Sequence, residues 1–324
     1  MLRQNNLFSG KGEVNPLLFF TNWQQGVTIV NLRMKEKVFF VSFVFPALAI
    51  FITFYAYPIV SGFYYSLTNW SGFGDIPRFI GLDNFKALLD DDLIKIALKN
   101  NLIMTIIVVL LQNFLALGFA ILLNQRFIGV NFFRAVIFIP VLLSTAVIGY
   151  IWDYIYSPII GVLNSIMGWI GFSYFTDFDW LGNPKYAIFS ISAVIIWQYT
   201  GYSMVIYLAG LQMIPKDLYE SANIDGAGRW LKIRHITIPL LANSITINSV
   251  ISVIGCLKMF DQVYILTSGG PGHATEVFGT LIYMFAFKTG QLGYGSALAV
   301  LLTVLVVAVA TVQYRILKKR EVEF

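Results

Sequence analysis

Charged side chains are scarce in this sequence. Only 12% of its 324 residues are Asp, Glu, Lys or Arg, whereas 57% are hydrophobic. Soluble domains have about 25% charged residues, so a mean hydropathy of +0.73 excludes an ordinary soluble protein. The apolar residues form long runs rather than short alternating segments, which excludes a transmembrane barrel. The composition therefore predicts an all-α, polytopic membrane protein.

Cysteine and catalytic motifs are also missing. The single cysteine, Cys256, excludes an internal disulfide and a multi-cysteine metal site. The sequence has no Gly-x-x-x-x-Gly-Lys-Ser/Thr phosphate loop and no His-Glu-x-x-His motif. Its two histidines, His235 and His273, fall on opposite sides of the predicted membrane. We therefore predict no catalytic residue, no metal site and no cofactor in this chain, and no enzymatic activity.

Six apolar stretches are long enough to cross about 30 Å of hydrocarbon, which takes roughly 20 residues. They are predicted at about 38–59, 102–123, 135–154, 186–209, 240–260 and 294–314. Residues 38–314 thus form a predicted six-helix transmembrane domain, followed by a basic tail at 315–324. The preceding segment, residues 1–37, is interpreted as cytoplasmic, either a helix lying on the membrane surface or an unstructured tail. A short surface helix is predicted at Leu82–Leu89.

The distribution of positive charge predicts the orientation. Six spans place both termini on one side, and the segments on that side hold 15 of the 22 Lys and Arg residues. Positive residues mark the cytoplasmic side. Both termini and the polar segment 211–239 are therefore predicted to be cytoplasmic. The net charge of +5 is explained by these basic loops, so no nucleic-acid partner is predicted.

A polar, basic segment separates the fourth and fifth spans. Pro215 and Asp217 suit the first turn of a helix, and Gly226 and Gly228 interrupt it before a second helix starts at Arg229. The segment is therefore predicted to form a helix, a glycine turn and a second helix, with small residues that let another backbone approach. From these residues alone, an ordinary surface or re-entrant loop is an equally good interpretation.

The same segment resembles the EAA motif of permease subunits of binding-protein-dependent ABC importers. The matching residues are Glu220-Ser-Ala222, Gly226 after three residues, and Ile236-Thr-Ile-Pro239 after nine more. Ser221 replaces the usual first alanine, which exchanges one small residue for another. The flanking residues are similar to the carbohydrate branch of the family. Thr267-Ser-Gly-Gly-Pro271 resembles its MalF, UgpA and LacF type of subunit.

The resemblance extends from the first span to the end of the chain and implies a MetI/MalF-like permease core in a bacterial cell (inner) membrane. Segment 217–230 would be the coupling helix, seated in a separate ATPase subunit that binds ATP and Mg²⁺. The residues implied in this coupling are Asp217, Glu220, Ser221, Ala222, Asp225, Gly226 and Ala227. The implied partners are a second, homologous permease subunit, two ATP-binding subunits and the surrounding membrane lipid. An extracytoplasmic solute-binding protein would deliver a sugar or oligosaccharide.

The fourth and fifth spans offer the hydrogen-bonding and aromatic groups that bind sugars. The positions that resemble sugar-contacting ones in the maltose permease are Gln198, Tyr199, Tyr202, Ser252, Gly255, Cys256 and Met259. Each tyrosine or serine could instead bridge two helices, as is common inside membranes. The small or flexible side chains at three of these positions leave a roomier cavity, which favours an oligosaccharide.

The alternatives to a permease subunit are an ion-coupled secondary transporter and a membrane enzyme. An ion-coupled secondary transporter has inverted repeats and intramembrane carboxylates, and neither is evident in this sequence. A membrane enzyme needs a catalytic constellation, which the sequence also lacks. Both alternatives are therefore less consistent with the sequence than a permease subunit.

Overall fold

The computed structural model describes residue 39 and residues 41–319, apart from 75 and 126. The chain divides into two units, residues 1–61 and residues 62–324. The predictions for segment 1–37 and for the last residues of the basic tail (320–324) concern parts of the chain outside these described ranges. Within them the structure is helical, with one isolated bridge between Thr68 and Phe79 and no β-strand, so the all-α prediction is confirmed.

Thirteen helices follow one another in the described residues. They are α1 (Val41–Ser66), α2 (Asp83–Asp90), α3 (Asp92–Leu123), α4 (Val130–Leu142), α5 (Thr145–Tyr156), α6 (Val162–Trp169), α7 (Ala187–Met213), α8 (Lys216–Ile224), α9 (Arg229–Leu240), α10 (Ala242–Leu257), α11 (Asp261–Thr267), α12 (Phe278–Lys288) and α13 (Leu292–Lys318). Four of these, α1, α3, α7 and α13, are long and apolar enough to cross a membrane. The number becomes six if the bent pairs α4–α5 and α9–α10 each form one span.

The third span differs from the single helix predicted over 135–154. Helix α4 ends at Leu142 and α5 begins at Thr145, with a bend of 100° between them. Pro140 lies in the last turn of α4 and cannot donate a backbone hydrogen bond. Ser144 then caps α5, because its hydroxyl accepts a hydrogen bond from the Val147 N–H at 3.4 Å. The apolar run therefore contains its own stop and start signals.

The second and fifth spans also have different limits from those predicted. Helix α3 begins at Asp92 rather than near residue 102, because the Asp91 carboxylate caps it by accepting from the Leu93 N–H at 2.9 Å. In the fifth span, α10 covers only 242–257, and α9 leads into it through a bend of 67°. The short helix predicted at Leu82–Leu89 is observed one residue later, as α2.

Helices α3 and α7 form the centre of the second unit. Three buried apolar clusters follow one another along α3, and they include Ala97, Val108 and Ala120 respectively. Helix α7 also meets α4 backbone to backbone. A Cβ atom on Gly201 would collide with the carbonyl oxygen of Ile137, so glycine at this position permits the close approach that small residues give membrane helices.

The two ends of α3 contact different parts of the chain. Near its beginning, the Asn101 Oδ1 atom accepts a hydrogen bond from the N–H of Phe278, the first residue of α12, at 2.9 Å. Beyond its end, Gln125 Oε1 accepts from Arg229 of α9 at 3.1 Å. The polar segment 211–239 and the glycine-rich loop that precedes α12 therefore lie at opposite ends of the bundle, as the predicted topology requires.

Candidate functional site

Helix α8 is the first arm of the polar segment. Pro215 precedes it with an extended backbone (φ −59°, ψ 133°), and Asp217 lies in its first turn, where a carboxylate interacts favourably with the helix dipole. All of its residues are at least partly exposed. The Ile224 side chain is 88% exposed. A two-turn helix that buries so little apolar surface has little reason to be stable alone, which makes it suited to a partner protein.

A glycine turn ends α8 and fixes the direction of the chain beyond it. Gly226 has φ +75°, a left-handed conformation that glycine adopts without a steric penalty. The Gly226 N–H donates to the Asn223 carbonyl at 3.1 Å, and the Ala227 N–H donates to the Ala222 carbonyl at 2.8 Å. These two bonds form a Schellman motif. The predicted helix, glycine turn and helix is therefore observed.

Helix α9 is the second arm, and side-chain hydrogen bonds hold it against its surroundings. Lys232 Nζ donates to Asn223 Oδ1 of α8 at 2.6 Å, and the Tyr219 hydroxyl is 3.0 Å from the Thr237 hydroxyl oxygen. Between the two arms is a cleft of about 300 Å³ lined by Ala222, Asp225 and Ala227, among others. Six of the seven residues predicted for coupling are on α8 or in the turn directly after it, with Ala227 next to Gly226.

Most of the residues predicted for coupling are exposed in this chain. Asp217, Glu220, Ser221, Asp225 and Gly226 are exposed, whereas Ala222 and Ala227 are half-buried. A Cβ atom on Gly226 would meet no atom within 4 Å. The side chains of Trp230 and Leu231 in α9 are 70% and 50% exposed. The segment therefore exposes small, acidic and apolar groups.

A second candidate site is a cavity of about 280 Å³ between α7 and α10. Six of the seven residues predicted for the substrate path line it, namely Tyr199, Tyr202, Ser252, Gly255, Cys256 and Met259. Tyr202 is 40% exposed, while Cys256 is buried. The structure thus brings together side chains from two predicted spans that are separated by about fifty residues of sequence.

The seventh predicted residue, Gln198, contacts the cavity wall through another glutamine. Gln262 Nε2 donates to Gln198 Oε1 at 2.9 Å and lies 3.4 Å from the Tyr199 hydroxyl. Both glutamines are 2% exposed. A buried amide needs its hydrogen bonds, so this pair fixes the position of α11 relative to α7 and orients the phenol of Tyr199 at the edge of the cavity.

Sequence reasoning missed several residues of the cavity wall. Gln112 of α3 lines it and donates to the Ser203 hydroxyl at 2.7 Å. Lys258 and Asp261, which follow α10, add one charge of each sign. In the sequence, Gln112 is a polar residue within a long apolar run and Lys258 lies near the end of a predicted span, and neither position by itself indicates a cavity. The short helix α11 packs against α5 and α7 after α10, and no periodicity in the sequence indicates this packing.

A hydrogen-bonded loop before α12 lies at the opposite end of the bundle from α8. The carboxylate of Glu276 is buried, accepts from the Thr280 hydroxyl at 2.5 Å and lies 3.2 Å from His273 Nδ1. Asn100 donates to the carbonyl oxygens of Ala274 and Glu276, both at 2.9 Å. The loop is therefore a preorganised surface at this end of the molecule.

Comparison with known protein families gives a match over residues 112–322 to the model described as "Binding-protein-dependent transport system inner membrane component". The matched range includes α7 to α10 and both candidate sites, and it covers more than half of the chain. It begins at Gln112, one of the residues that line the cavity.

Several curated proteins are similar over most of their length. A probable ABC transporter permease protein of Bacillus subtilis, YurN, is 36% identical over 88% of this chain and 97% of its own length. The probable permease protein AmyD for starch degradation products of Thermoanaerobacterium thermosulfurigenes is 32% identical over 89% and 97%. The trehalose/maltose transport system permease protein MalF of Thermococcus litoralis is 32% identical over 88% and 96%.

A solved structure has the same fold. It is the crystal structure of a bacterial ABC transporter involved in the import of the acidic polysaccharide alginate, and one of its chains gives a TM-score of 0.78. The match covers 90% of this chain and 98% of that chain at 22% identity. At this level of identity the likeness concerns the fold.

Proposed function

This chain belongs to the family of binding-protein-dependent transport system inner membrane components, and on that premise we propose that it is the permease subunit of an ATP-driven importer of a sugar or oligosaccharide. As a member of that family it is a multi-pass membrane component of a transport system rather than an enzyme. The ion-coupled alternative is not favoured, because the family and the similar proteins are ABC transporter components.

One structural relationship carries the proposal: the two helices that supply most of the lining of the membrane cavity, α7 and α10, are the two helices attached to the exposed segment. Helix α7 ends at Met213 and α8 begins at Lys216, while α9 leads through Leu241 into α10. A push on α8 and α9 is therefore transmitted directly to α7 and α10, between which Tyr202 and Ser252 line the cavity. Helix ends joined by only a few residues move together.

The energy for transport would come from other subunits. The chain has no phosphate loop, so ATP and Mg²⁺ would be bound by two separate ATPase subunits. Residues Asp217, Glu220, Ser221, Ala222, Asp225, Gly226 and Ala227 would form the surface that receives the ATPase. The segment would then face the cytoplasm, both termini would be cytoplasmic, and the chain would lie in the inner membrane of a bacterium.

The proposed substrate follows from the similar proteins and from the chemistry of the cavity. The names of similar permeases mention starch degradation products, multiple sugars, diacetylchitobiose and trehalose/maltose. The cavity combines the phenols of Tyr199 and Tyr202 with the hydroxyl of Ser252 and the amide of Gln112. Aromatic faces and hydrogen-bonding groups of this kind suit a sugar ring.

The remaining partners are proposed from the family. A solute-binding protein would deliver the sugar at the end of the bundle that carries the hydrogen-bonded loop 267–276. A second, homologous permease subunit would cover the open side of the cavity, where Tyr202 is 40% exposed. The pathway would then run between the two permeases, and each would contribute one exposed segment to one ATPase subunit.

Reconstitution tests this function. The chain would be incorporated into proteoliposomes with its partner permease, ATPase subunits and binding protein, and uptake of a panel of radiolabelled short oligosaccharides would be measured. We expect uptake to require the binding protein, together with ATP on the side of the membrane where the ATPase subunits lie. Dissipating the ion gradients should leave this uptake unchanged. Uptake by the chain alone on an ion gradient would contradict the proposal.

A further inference from the structure

Another cavity in the second unit is distinct from the cleft between α8 and α9 and from the cavity between α7 and α10. It has a volume of about 770 Å³ and lies where the turn after α3 meets the junction between α7 and α8. It is therefore at the same end of the bundle as the segment proposed for coupling. Its polar lining includes Gln125, Arg134, Gln212 and Lys216, and its apolar lining includes Phe127 and Ile128.

The charge of this cavity is of one sign. Arg134 and Lys216 both line it, and its lining contains no carboxylate among the residues that the structure describes. Arg134 is held in place by bonds from Nη2 to the Leu123 carbonyl at 2.6 Å and from Nη1 to Asn131 Oδ1 at 3.4 Å. Its Nε atom is buried and has no hydrogen-bond partner within the described ranges. Two cations without a counter-charge favour an anionic ligand.

Two helix N-termini converge on the same cavity. Val130 is the first residue of α4 and Lys216 is the first residue of α8, and both line the cavity. Gly129 and Pro215, the residues before them, form no side-chain cap in the described structure. The positive ends of the two helix dipoles add to the charge of Arg134 and Lys216, and phosphate groups bind at such places.

Large apolar side chains are exposed in the turn after α3, where Phe127 and Ile128 line the cavity, and at Phe132 and Phe133, which follow in α4. Ile128 is fully exposed, and Phe127, Phe132 and Phe133 are 44%, 68% and 49% exposed. The rings of Phe132 and Phe133 are 5.8 Å apart in an edge-to-face arrangement. These four residues follow the end of a predicted membrane span, where a hydrocarbon chain can cover them. A site for a free anion has no need of such apolar groups, whereas a site for a lipid does.

From this combination we infer that the cavity binds the phosphate-bearing headgroup of an anionic phospholipid. Arg134 and Lys216 hold the phosphate together with the N-termini of α4 and α8, and the amides of Gln125 and Gln212 contact the polar part of the headgroup. The acyl chains cover Phe127 and Ile128. Because Lys216 begins α8, a bound lipid joins the exposed segment to the turn after α3 and stabilises its position.

Native mass spectrometry of the full-length chain, purified with its copurifying subunits from membranes that contain phosphatidylglycerol, tests this inference. We expect a retained phosphatidylglycerol adduct. Lys216→Gln is the main variant, because the Lys216 side chain forms no ion pair among the described residues and its loss leaves nothing unpaired. A basic residue near an anionic lipid surface contributes about 1 kcal/mol, so the adduct should bind about fivefold more weakly.

Two further variants give the comparison its meaning. Ile128→Ser removes apolar contact without changing the charge, and we expect it to weaken the lipid adduct as well. Lys86→Gln is the matched control, since Lys86 is an exposed lysine paired with Asp83 in α2, at the other end of α3; it should retain the adduct.

Three outcomes would overturn the inference. The first is an adduct that Lys216→Gln leaves unchanged. The second is displacement of the lipid by an excess of inorganic phosphate together with an unaffected Ile128→Ser, which would identify a site for free phosphate. The third is loss of copurifying ATPase subunits from Lys216→Gln while the lipid remains bound, which would identify a protein-docking surface. None of these outcomes depends on which sugar is transported.

Discussion

The Ala227 N–H donates to the carbonyl oxygen of Ala222 at 2.8 Å across the left-handed residue Gly226. This bond closes the turn between α8 and α9, so the two helices are connected by hydrogen bonds rather than by a flexible linker. Lys232 and Asn223 hold the arms together at 2.6 Å. A force applied to α8 therefore reaches α9, and through it α10, instead of being lost in a flexible loop.

Gly226→Ala should weaken this turn, whereas Gly228→Ala should not. Both glycines have open space where a Cβ atom would lie, but Gly226 has φ +75° and Gly228 has φ −66°. A left-handed conformation costs a residue with a Cβ about 1 kcal/mol. Hydrogen–deuterium exchange at the amides of residues 226 and 227 should therefore rise about fivefold in Gly226→Ala and stay unchanged in Gly228→Ala. Equal exchange in both variants would contradict the role given to the turn.

Gly201→Ala should destabilise the packing of α7 on α4. The added methyl group would collide with the Ile137 carbonyl oxygen, and overpacking of this kind costs about 1–3 kcal/mol. The melting temperature of the detergent-solubilised protein should fall. Gly118→Ala in α3 is the control, because a Cβ atom there meets nothing within 4 Å and alanine is the better helix former. A Gly201→Ala variant as stable as Gly118→Ala would show that this contact is absent.

Tyr202→Ala should raise the KM for uptake of the substrate. Tyr202 lines the membrane cavity, and an aromatic contact contributes about 1 kcal/mol beyond its buried area, which corresponds to an about fivefold higher KM. Tyr202→Phe keeps the ring and should have a smaller effect. Phe189 lies on the same helix and is 49% exposed, compared with 40% for Tyr202, but it is outside the cavity. Phe189→Ala should therefore leave KM unchanged, and an equal rise in both variants would refute the assignment.

The Gln198 and Gln262 pair should show strong coupling in a double-mutant cycle. Changing either residue to Leu leaves the other buried amide without its partner, which costs about 1–3 kcal/mol. The double variant Gln198→Leu/Gln262→Leu removes both polar groups and should recover part of that loss. Thermal unfolding of the four proteins measures the coupling. Additive losses would show that the 2.9 Å bond does not join α7 to α11.

Much of the architecture is predictable from the sequence because its signals are local. Long apolar runs indicate α3, α7 and α13, and the spacing of Pro215, Gly226 and Gly228 predicts a helix, a turn and a second helix. The resemblance to the ABC permease family then predicts seven substrate-path residues in the fourth and fifth spans, and six of these line one cavity. Periodicity alone would not have selected them, since α7 has no distinct polar face.

The missed features depend on contacts between distant parts of the chain. The break at Ser144 is a local signal, but a stretch of apolar residues around it conceals it when hydropathy is averaged. The return of α11 to the cavity depends on the bond between Gln262 and Gln198, which are 64 residues apart. The cationic cavity combines Arg134 with Lys216, which are brought together only by the packing of α4 beside α7.

The central claim, that the segment α8–α9 couples this permease to ATP hydrolysis, is tested most directly by the ATPase activity of the reconstituted complex. The measurement is ATP hydrolysis with and without the loaded binding protein, in the wild type and in Gly226→Asp. The account predicts that Gly226→Asp folds and inserts like the wild type but loses the stimulation by the loaded binding protein. A variant that retains full stimulation would contradict it.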